Sequence, residues 1–287
     1  MGINKLKKIV LDNAKVYVND IDEYTDIIDD LGYDSIGVVQ LLIEIEEKLG
    51  VEINDIYGLE KYGKLERFVE SNIDFERYYM KFLGITSKSE TFKGIILEVS
   101  ELRDSPINKK YFYPCIISNY KNVWYISYSK RIEDELKRKI KKLKINNYNE
   151  ILNSITIRNT YSDCFVRMIW DKKVIRSTDK KIQWNLFYSE SLKKFCAKKE
   201  GKTVGYCKIS DIFDGYGNIV IFIEEKERNK GLATILLNKI LDKCNELEIN
   251  PIYFTRKNNI ASVRLAEKVG FRMVCEEIIY TEEKEKI

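Results

Sequence analysis

NIVIFIEEKERNKGLATIL, residues 218–236, decides how the larger part of this chain folds. Its apolar opening is short enough for a buried strand, and Glu224 ends it. A charged stretch follows, then Gly231, then a segment in which Leu232, Ile235, Leu236, Ile240 and Leu241 recur at helical spacing, predicting a helix to about residue 247. Strand, glycine-bearing turn and helix start make an anion-binding arrangement, because glycine lets the backbone approach closely and a first helical turn has N–H groups free to meet phosphate oxygens. The segment fits neither GxxxxGK[ST] nor GxGxxG. Upstream, residues 194–199 and 203–210 flank Glu200-Gly201-Lys202 as a hairpin, and Asp214-Gly215-Tyr216-Gly217 turns the chain into the strand. Downstream, residues 251–255 read as a strand, Lys257-Asn258-Asn259 as a loop, residues 260–269 as a helix stopped by Gly270, and residues 271–280 as a closing strand.

These elements carry two motifs. Arg228-x-x-Gly231-x-Ala233 resembles the pyrophosphate loop, Arg/Gln-x-x-Gly-x-Gly/Ala, of the Gcn5-related N-acetyltransferase (GNAT) superfamily. Asn259-x-x-Ser262, followed by Glu267-Lys268-Val269-Gly270-Phe271, resembles that family's later motif. The resemblance covers residues 188–282 and implies an acyltransferase using CoA or acyl-CoA. By it, Arg228 and the N–H groups of Asn229, Lys230, Gly231, Leu232, Ala233 and Thr234 hold the pyrophosphate of CoA or the phosphate of a carrier arm, while Asn259 and Ser262 lie along the pantetheine and thioester. Many members place a tyrosine in the second helix as general acid; the matching residue here is Ala266, which leaves a water, the Ser262 region, or no acid at all. Glu224 is the first candidate for the base and Glu225 the second, although both also read as flanks of a charged loop.

The first 74 residues follow another pattern. Leu6, Ile9, Val10 and Val16 suggest an opening helix. Asp34 precedes a periodic stretch in which Val38, Leu42, Ile45 and Leu49 share a face and Gly50 is placed as a stop. Residues 54–59 allow a short helix, and a last one is expected over about 64–71. LGYDSIGVVQLLIEIEEKLGVEI, residues 31–53, resembles the centre of acyl or peptidyl carrier proteins, a likeness covering roughly residues 3–73. It implies that Ser35, opening the second helix, receives 4′-phosphopantetheine from a phosphopantetheinyl transferase; Ile36 stands where leucine is common. Asp29, Asp30, Asp34, Glu44, Glu46 and Glu47 supply an acidic surface for a basic partner.

The expected organisation is therefore a multidomain chain: a small all-α, four-helix carrier domain over 1–74, an accessory region over 75–187, and an α+β/α/β GNAT domain over 188–287. The accessory region opens with Tyr78, Tyr79, Met80, Phe82 and Leu83, which suggest a linker helix that also packs, and then shows strand runs YFYPCIIS and VWYISYS, a basic helix over about 131–143 and a strand over 163–170, an order compatible with a degenerate GNAT-like half. A solvated face or a docking surface for an acidic carrier explains the basic helix better than nucleic acid does.

Charge divides the same way. The formal +4 is the sum of −9 over residues 1–74 and +13 over the remainder, which makes docking between the two an expectation. With no histidine, every His-dependent triad and metal site is excluded, and the 6 cysteines include no CxxC, so no metal is expected. No stretch is long and apolar enough to span a membrane, no signal peptide opens the chain, and a cytoplasmic location is expected. Function is expected to be acyl transfer from a thioester, on CoA or on the Ser35 arm, to a small-molecule amine within a biosynthetic pathway with downstream enzymes as partners. The alternatives are loading of the Ser35 arm from acyl-CoA and a non-catalytic CoA- or carrier-binding module.

Overall fold

A computed structural model describes residues 2–18, 20–51, 53, 55–106, 111–142, 155–171 and 183–283. The chain divides into two compact units, Met1–Tyr79 and Met80–Ile287.

The first unit is built from α1 (Gly2–Asp12), α2 (Ser35–Leu49) and the start of α3 (Tyr62–Leu83). Leu6, Ile9 and Val10 bury one face of α1 against Ile27, Leu31, Leu41, Ile45, Leu65 and Val69, whereas Val16 stays exposed. Asp34 caps α2 by accepting the Gly37 N–H at 2.8 Å, and Gly50, at φ +67°, closes it by donating to the Glu46 carbonyl at 2.8 Å. Leu41, outside the expected stripe, is fully buried along with Ile45.

Two expectations need correction. The described residues of 54–59 form no helix: the Asp55 carboxylate accepts the Tyr57 N–H at 3.0 Å, and Gly58, at φ +76°, donates to Glu60 at 2.8 Å. These side-chain acceptors offer the backbone an alternative to helical bonds. The expected helix over 64–71 and the linker helix at 78–83 are one unbroken helix to Leu83, because Phe75, Tyr78 and Tyr79 continue its buried stripe and Gly84, at φ +79°, is the first residue to break it.

In the second unit, eleven strands among the described residues form one sheet: β1 (Glu90–Phe92), β2 (Ile95–Val99), β3 (Tyr111–Tyr120), β4 (Val123–Tyr128), β5 (Tyr161–Trp170), β6 (Asn185–Ser189), β7 (Lys194–Lys199), β8 (Lys202–Phe213), β9 (Tyr216–Ile223), β10 (Asn250–Arg256) and β11 (Phe271–Glu283). Their order is β1-β2-β4-β3-β11-β5-β10-β9-β8-β7-β6. Thus β5, from the middle of the chain, lies between β10 and β11, and both halves share one sheet. The basic segment forms α4 (Glu133–Lys142); α5 (Leu232–Glu246) and α6 (Ile260–Lys268) follow the expected helices closely.

Leu232, Leu236, Ile240 and Leu241 of α5 and Ala266 of α6 pack on Val166, Met168, Ile219 and Tyr253. Leu136 and Ile140 of α4 pack on Ile117, Ile126 and Ile278. Ile278 stands opposite Cys164, two places from Val166, so all three helices cover one face.

On the other face Arg167 of β5 meets Glu277 of β11, Nε donating at 2.5 Å and Nη2 at 3.0 Å. The guanidinium is flanked by the rings of Phe82 at 4.5 Å and Phe254 at 4.8 Å. Both charged groups are buried, so each depends on the other. Replacing Glu277 by Leu removes the carboxylate to which both guanidinium nitrogens donate; the second unit should lose about 3–5 kcal/mol in urea denaturation.

Candidate functional site

β9 and β10 run parallel and pair only from Tyr216↔Asn250 to Ile219↔Tyr253. Past that point β9 continues to Ile223 held by β8 alone, and β10 continues to Arg256 held by β5. The strands part, and the backbone groups of residues 220–223 facing the gap have no partner in the β10 ladder. A strand edge of this kind can receive a carbonyl or an amide of a bound substrate. Glu224 stands at the end of β9, its N–H donating to the Val204 carbonyl at 2.9 Å; it and Glu225 are exposed.

The connection to α5 is a shaped loop. A 3-10 turn, Glu225–Glu227, leads through Arg228 to Asn229 at φ +61° and Gly231 at φ +89°. The first helical bond of α5 runs from Ile235 to the Gly231 carbonyl at 3.2 Å, so the N–H groups of Leu232, Ala233 and Thr234 precede any intrahelical acceptor. Lys230 and Arg228 add positive charge beside them, with the Arg228 Nε donating to the Ile223 carbonyl at 3.2 Å. An anion of phosphate type fits this cradle.

The sequence reading missed what fixes the loop. The buried Glu227 carboxylate accepts from the Trp184 indole at 3.0 Å, from Lys199 at 3.1 Å and from Lys230 at 3.1 Å. The Lys199 and Trp184 hydrogen bonds, with that of Lys230, hold its pKa down to about 2. Its place among Lys226, Arg228 and Lys230 was the only local signal; its other two partners come from ahead of β6 and from β7.

On α6, Asn259 is the cap, its side chain accepting the Ser262 N–H at 3.3 Å. The Ser262 Oγ lies 2.9 Å from the phenol of Tyr253, another residue the sequence reading did not single out. Ala266 is 0% exposed within the core, and Glu267 is exposed. Arg228 to Thr234, Asn259 and Ser262 therefore sit on the two helix starts that follow the parting strands, with Glu224 and Glu225 at the end of β9.

In the first unit, Ser35 is the exposed first residue of α2. Asp34 beside it is ion-paired with Lys15; that hydrogen bond first, and the Gly37 N–H second, lower its pKa. Glu44 bonds Asn13 and Lys48, and Asp30 accepts the Asp26 N–H at 2.7 Å, so half of the expected acidic surface is engaged locally. The helix face beyond Ser35 is apolar instead: Ile36, Val39 and Ile43 are 71%, 55% and 49% exposed. An accessible hydroxyl at a helix start suits attachment of a phosphodiester arm. Among the described residues no group of three or more Cys, Asp and Glu is placed to hold a metal ion, and no helix is long and apolar enough to cross a membrane.

Known proteins resemble the two units separately. A family model for the phosphopantetheine attachment site matches residues 4–68, and one for the acetyltransferase (GNAT) family matches residues 155–271. The acyl carrier protein of Clostridium perfringens (strain SM101 / Type A) is 33% identical over 73 residues, 25% of this chain and 96% of that protein. The acyl carrier protein of Sinorhizobium fredii (strain NBRC 101917 / NGR234) is 45% identical over 51 residues, and the chain spans 65% of its length and 18% of its own. A solved acetyltransferase of the GNAT family from Colwellia psychrerythraea aligns at TM-score 0.40 and 10% identity, covering 73% of this chain and 96% of that one.

The depressed Glu227 pKa has a checkable sign. Its contribution is fully present above the ordinary value of 4.5 and is lost as pH falls through about 2. Tryptophan fluorescence titrated from pH 5 to 2 should report loosening of the loop around Trp184 in the native protein, and Glu227→Gln should remove that component of the acid limb.

Proposed function

We propose, on the premise that this chain belongs to the acyl carrier protein family through its first unit and is a GNAT-type acyltransferase in its second, that it transfers an acyl group from a thioester to a small-molecule amine in a biosynthetic pathway. The observation that carries this reading is the gap between β9 and β10 opening beside the N–H-lined turn of α5. Acyl-CoA, or 4′-phosphopantetheine installed on Ser35 by a phosphopantetheinyl transferase and acylated on its thiol, would supply the activated acyl carbonyl and the thiol leaving group.

The chain's residues do the rest. Backbone N–H groups of residues 229–234, with Arg228, bind phosphate and set the depth of the thioester. An N–H on the open edge of β9 donates to the thioester oxygen, where charge builds as the amine attacks. Glu224, or Glu225 next to it, takes the proton that the attacking ammonium must lose, directly or through water. Asn259 holds the first turn of α6 in place, which presents Ser262 to the arm.

A second reading is loading, in which the acyl group passes from acyl-CoA to the Ser35-linked thiol. The burial of Ala266 favours it, since no side chain at that position reaches a leaving group and a thiol nucleophile needs less proton handling than an amine. The strands of the middle region, β1 to β5 with α4 on the same face as α5 and α6, are read as a reduced GNAT-like half that supplies β5 to the catalytic half. The first unit is read as a carrier bundle built on α1, α2 and the start of α3, with the Tyr57-Gly58 turn where a short helix was expected.

Intact mass spectrometry separates the readings. Phosphopantetheinylated protein should gain an acyl mass from acetyl-CoA or malonyl-CoA under loading, and Ser35→Ala should gain neither arm nor acyl mass. Under amine transfer, acyl-loaded protein should lose that mass to an amine, and Arg228→Ala should slow transfer roughly tenfold or more by loosening phosphate contacts. If loaded protein transfers nothing to any amine and Ser35→Ala behaves identically, amine transfer from the arm is wrong.

A further inference from the structure

Helix α4 carries Glu135, Arg138, Lys139 and Lys142 at spacings of three and four, which sets them on one face beside the face that Leu136 and Ile140 bury. That face is one wall of a cavity of about 500 Å³. The other wall is the stretch ahead of β5, where burial alternates: Ile155 and Ile157 are buried, and Thr156 and Arg158 are exposed. Ile155 and Ile157 belong to the core that α4 makes with β3, β4 and β11, and β5 and β10 stand between that part of the sheet and β9.

Both walls are fixed. The Tyr280 hydroxyl donates to the Ile155 carbonyl at 2.6 Å, and the Thr160 hydroxyl donates to the Ile157 carbonyl at 2.9 Å. Lys139 ties one wall to the other, donating to the Glu135 carboxylate at 2.7 Å and to the Thr156 Oγ1 at 3.2 Å. The Lys139 hydrogen bond first, and the Arg158 backbone N–H after it, hold the Glu135 pKa below its ordinary value. The one carboxylate lining the groove is thus spent on the groove's own frame.

The charges left over share one sign. Arg138 donates through Nε to the Asp134 carbonyl of its own helix at 3.0 Å, and among the described residues no carboxylate lies within ion-pair distance of Arg138, Lys142 or Arg158. Elsewhere on this segment, Lys130, Arg131 and Lys137 are all paired with carboxylates. A basic residue at a helix C-terminus complements the helix dipole, which accounts for Lys142. It does not account for Arg158, which comes from another segment and brings a third positive charge to the same groove. Arg138 and Lys142, one turn apart, are a like-charge pair that disfavours the helix unless a counter-charge joins them.

We propose that this groove binds the diphosphate group of a small organic molecule. Guanidinium forks match phosphate oxygens two at a time, and Arg138 and Arg158 come from opposite walls. A single phosphate group carries about −1.5 to −2 charges near neutral pH, and three unspent cations suit the larger charge of a diphosphate. The cavity has the size of a small-molecule site, with Ile157 and the methylene stems of the α4 side chains as apolar surface for an organic body. A concave groove of this kind fits a small ligand better than the convex face of an acidic domain. The site is separate from the loop that opens α5 and does not rest on the acyltransferase reading.

The test is isothermal titration of the full-length protein with inorganic pyrophosphate and with ADP, at about 0.15 M salt, where attraction beyond about 8 Å is screened. Both should bind, ADP the more tightly. Arg158→Ala should weaken both roughly tenfold to a hundredfold, the range for one lost hydrogen bond to a charged group, and Arg158→Lys should recover part by restoring the charge without the fork. Because Arg138 and Arg158 are exposed, the double variant Arg138→Ala/Arg158→Ala should melt where the unaltered protein does, and ADP should raise the melting temperature of the unaltered protein alone. Arg228→Ala, which alters the α5 loop, should leave the Arg158-dependent binding in place. Sulfate binding as tightly as pyrophosphate, ADP binding more weakly than pyrophosphate, or affinity unmoved by Arg158→Ala overturns the proposal. So does a poly-glutamate peptide that binds through Arg158 where ADP does not, which would assign the groove to an acidic protein segment. None of these outcomes changes the acyltransferase reading.

Discussion

β10 is held by β9 only as far as Tyr253 and by β5 from Ile252 to Arg256, and the gap beside β9 depends on that change of partner. A strand inside a sheet normally has both edges hydrogen-bonded, because buried backbone groups without partners are costly. Here the far edge of β10 is secured by a strand from the middle of the chain, which frees its near edge to diverge. The edge of β9 left open is then available to a ligand that brings its own polar groups. The buried Arg167–Glu277 pair ties β5 to β11 on the opposite face, so the strand that makes the divergence possible is itself pinned.

The loop after β9 shows how a turn rich in positive charge can be made rigid. Lys199 and Lys230 would repel one another if left alone in that neighbourhood. The Glu227 carboxylate gathers both and binds the Trp184 indole as well, joining the 3-10 turn to β7 and to the residue ahead of β6. One buried charge thus organises cations that would otherwise hold the loop open. The left-handed backbone at Asn229 and Gly231 then turns the chain so that α5 begins with its N–H groups unspent.

Most of the elements were legible in the sequence, for a local reason. The strand over 218–223, the hairpin around Gly201 and the helices after Gly231 and Asn259 are each set by periodicity and punctuation within about a dozen residues. The same holds for α2, bracketed by Asp34 and Gly50. What the sequence did not reveal is long-range. The Glu227 cluster joins residues from separate strands, and Tyr253 meets Ser262 across a turn that neither motif specifies. The insertion of β5 between β10 and β11 pairs segments far apart in the chain, and no periodicity encodes which strand will be a neighbour. Local reading also failed at 54–59, where Asp55 and Glu60 capture backbone donors that a helix would need, and in the middle of α3, where the polar stretch after Ser71 hides that the helices on either side are one.

The missing histidines and the alanine at 266 are parts of one argument about where protons are needed. A thiol has an ordinary pKa near about 8.5, so a thiolate departs as an anion at modest cost and asks only for a hydrogen bond. An amine entering as an ammonium must lose a proton before or during attack. Under the amine-transfer proposal, the demand for acid–base chemistry therefore falls on the acceptor side, and Glu224 and Glu225, its proposed bases, stand exposed at the end of β9. On the donor side of that proposal, Ala266 can be given wholly to packing. A chain without imidazole loses little by that division, since neither side requires a group that both takes and returns a proton near neutral pH.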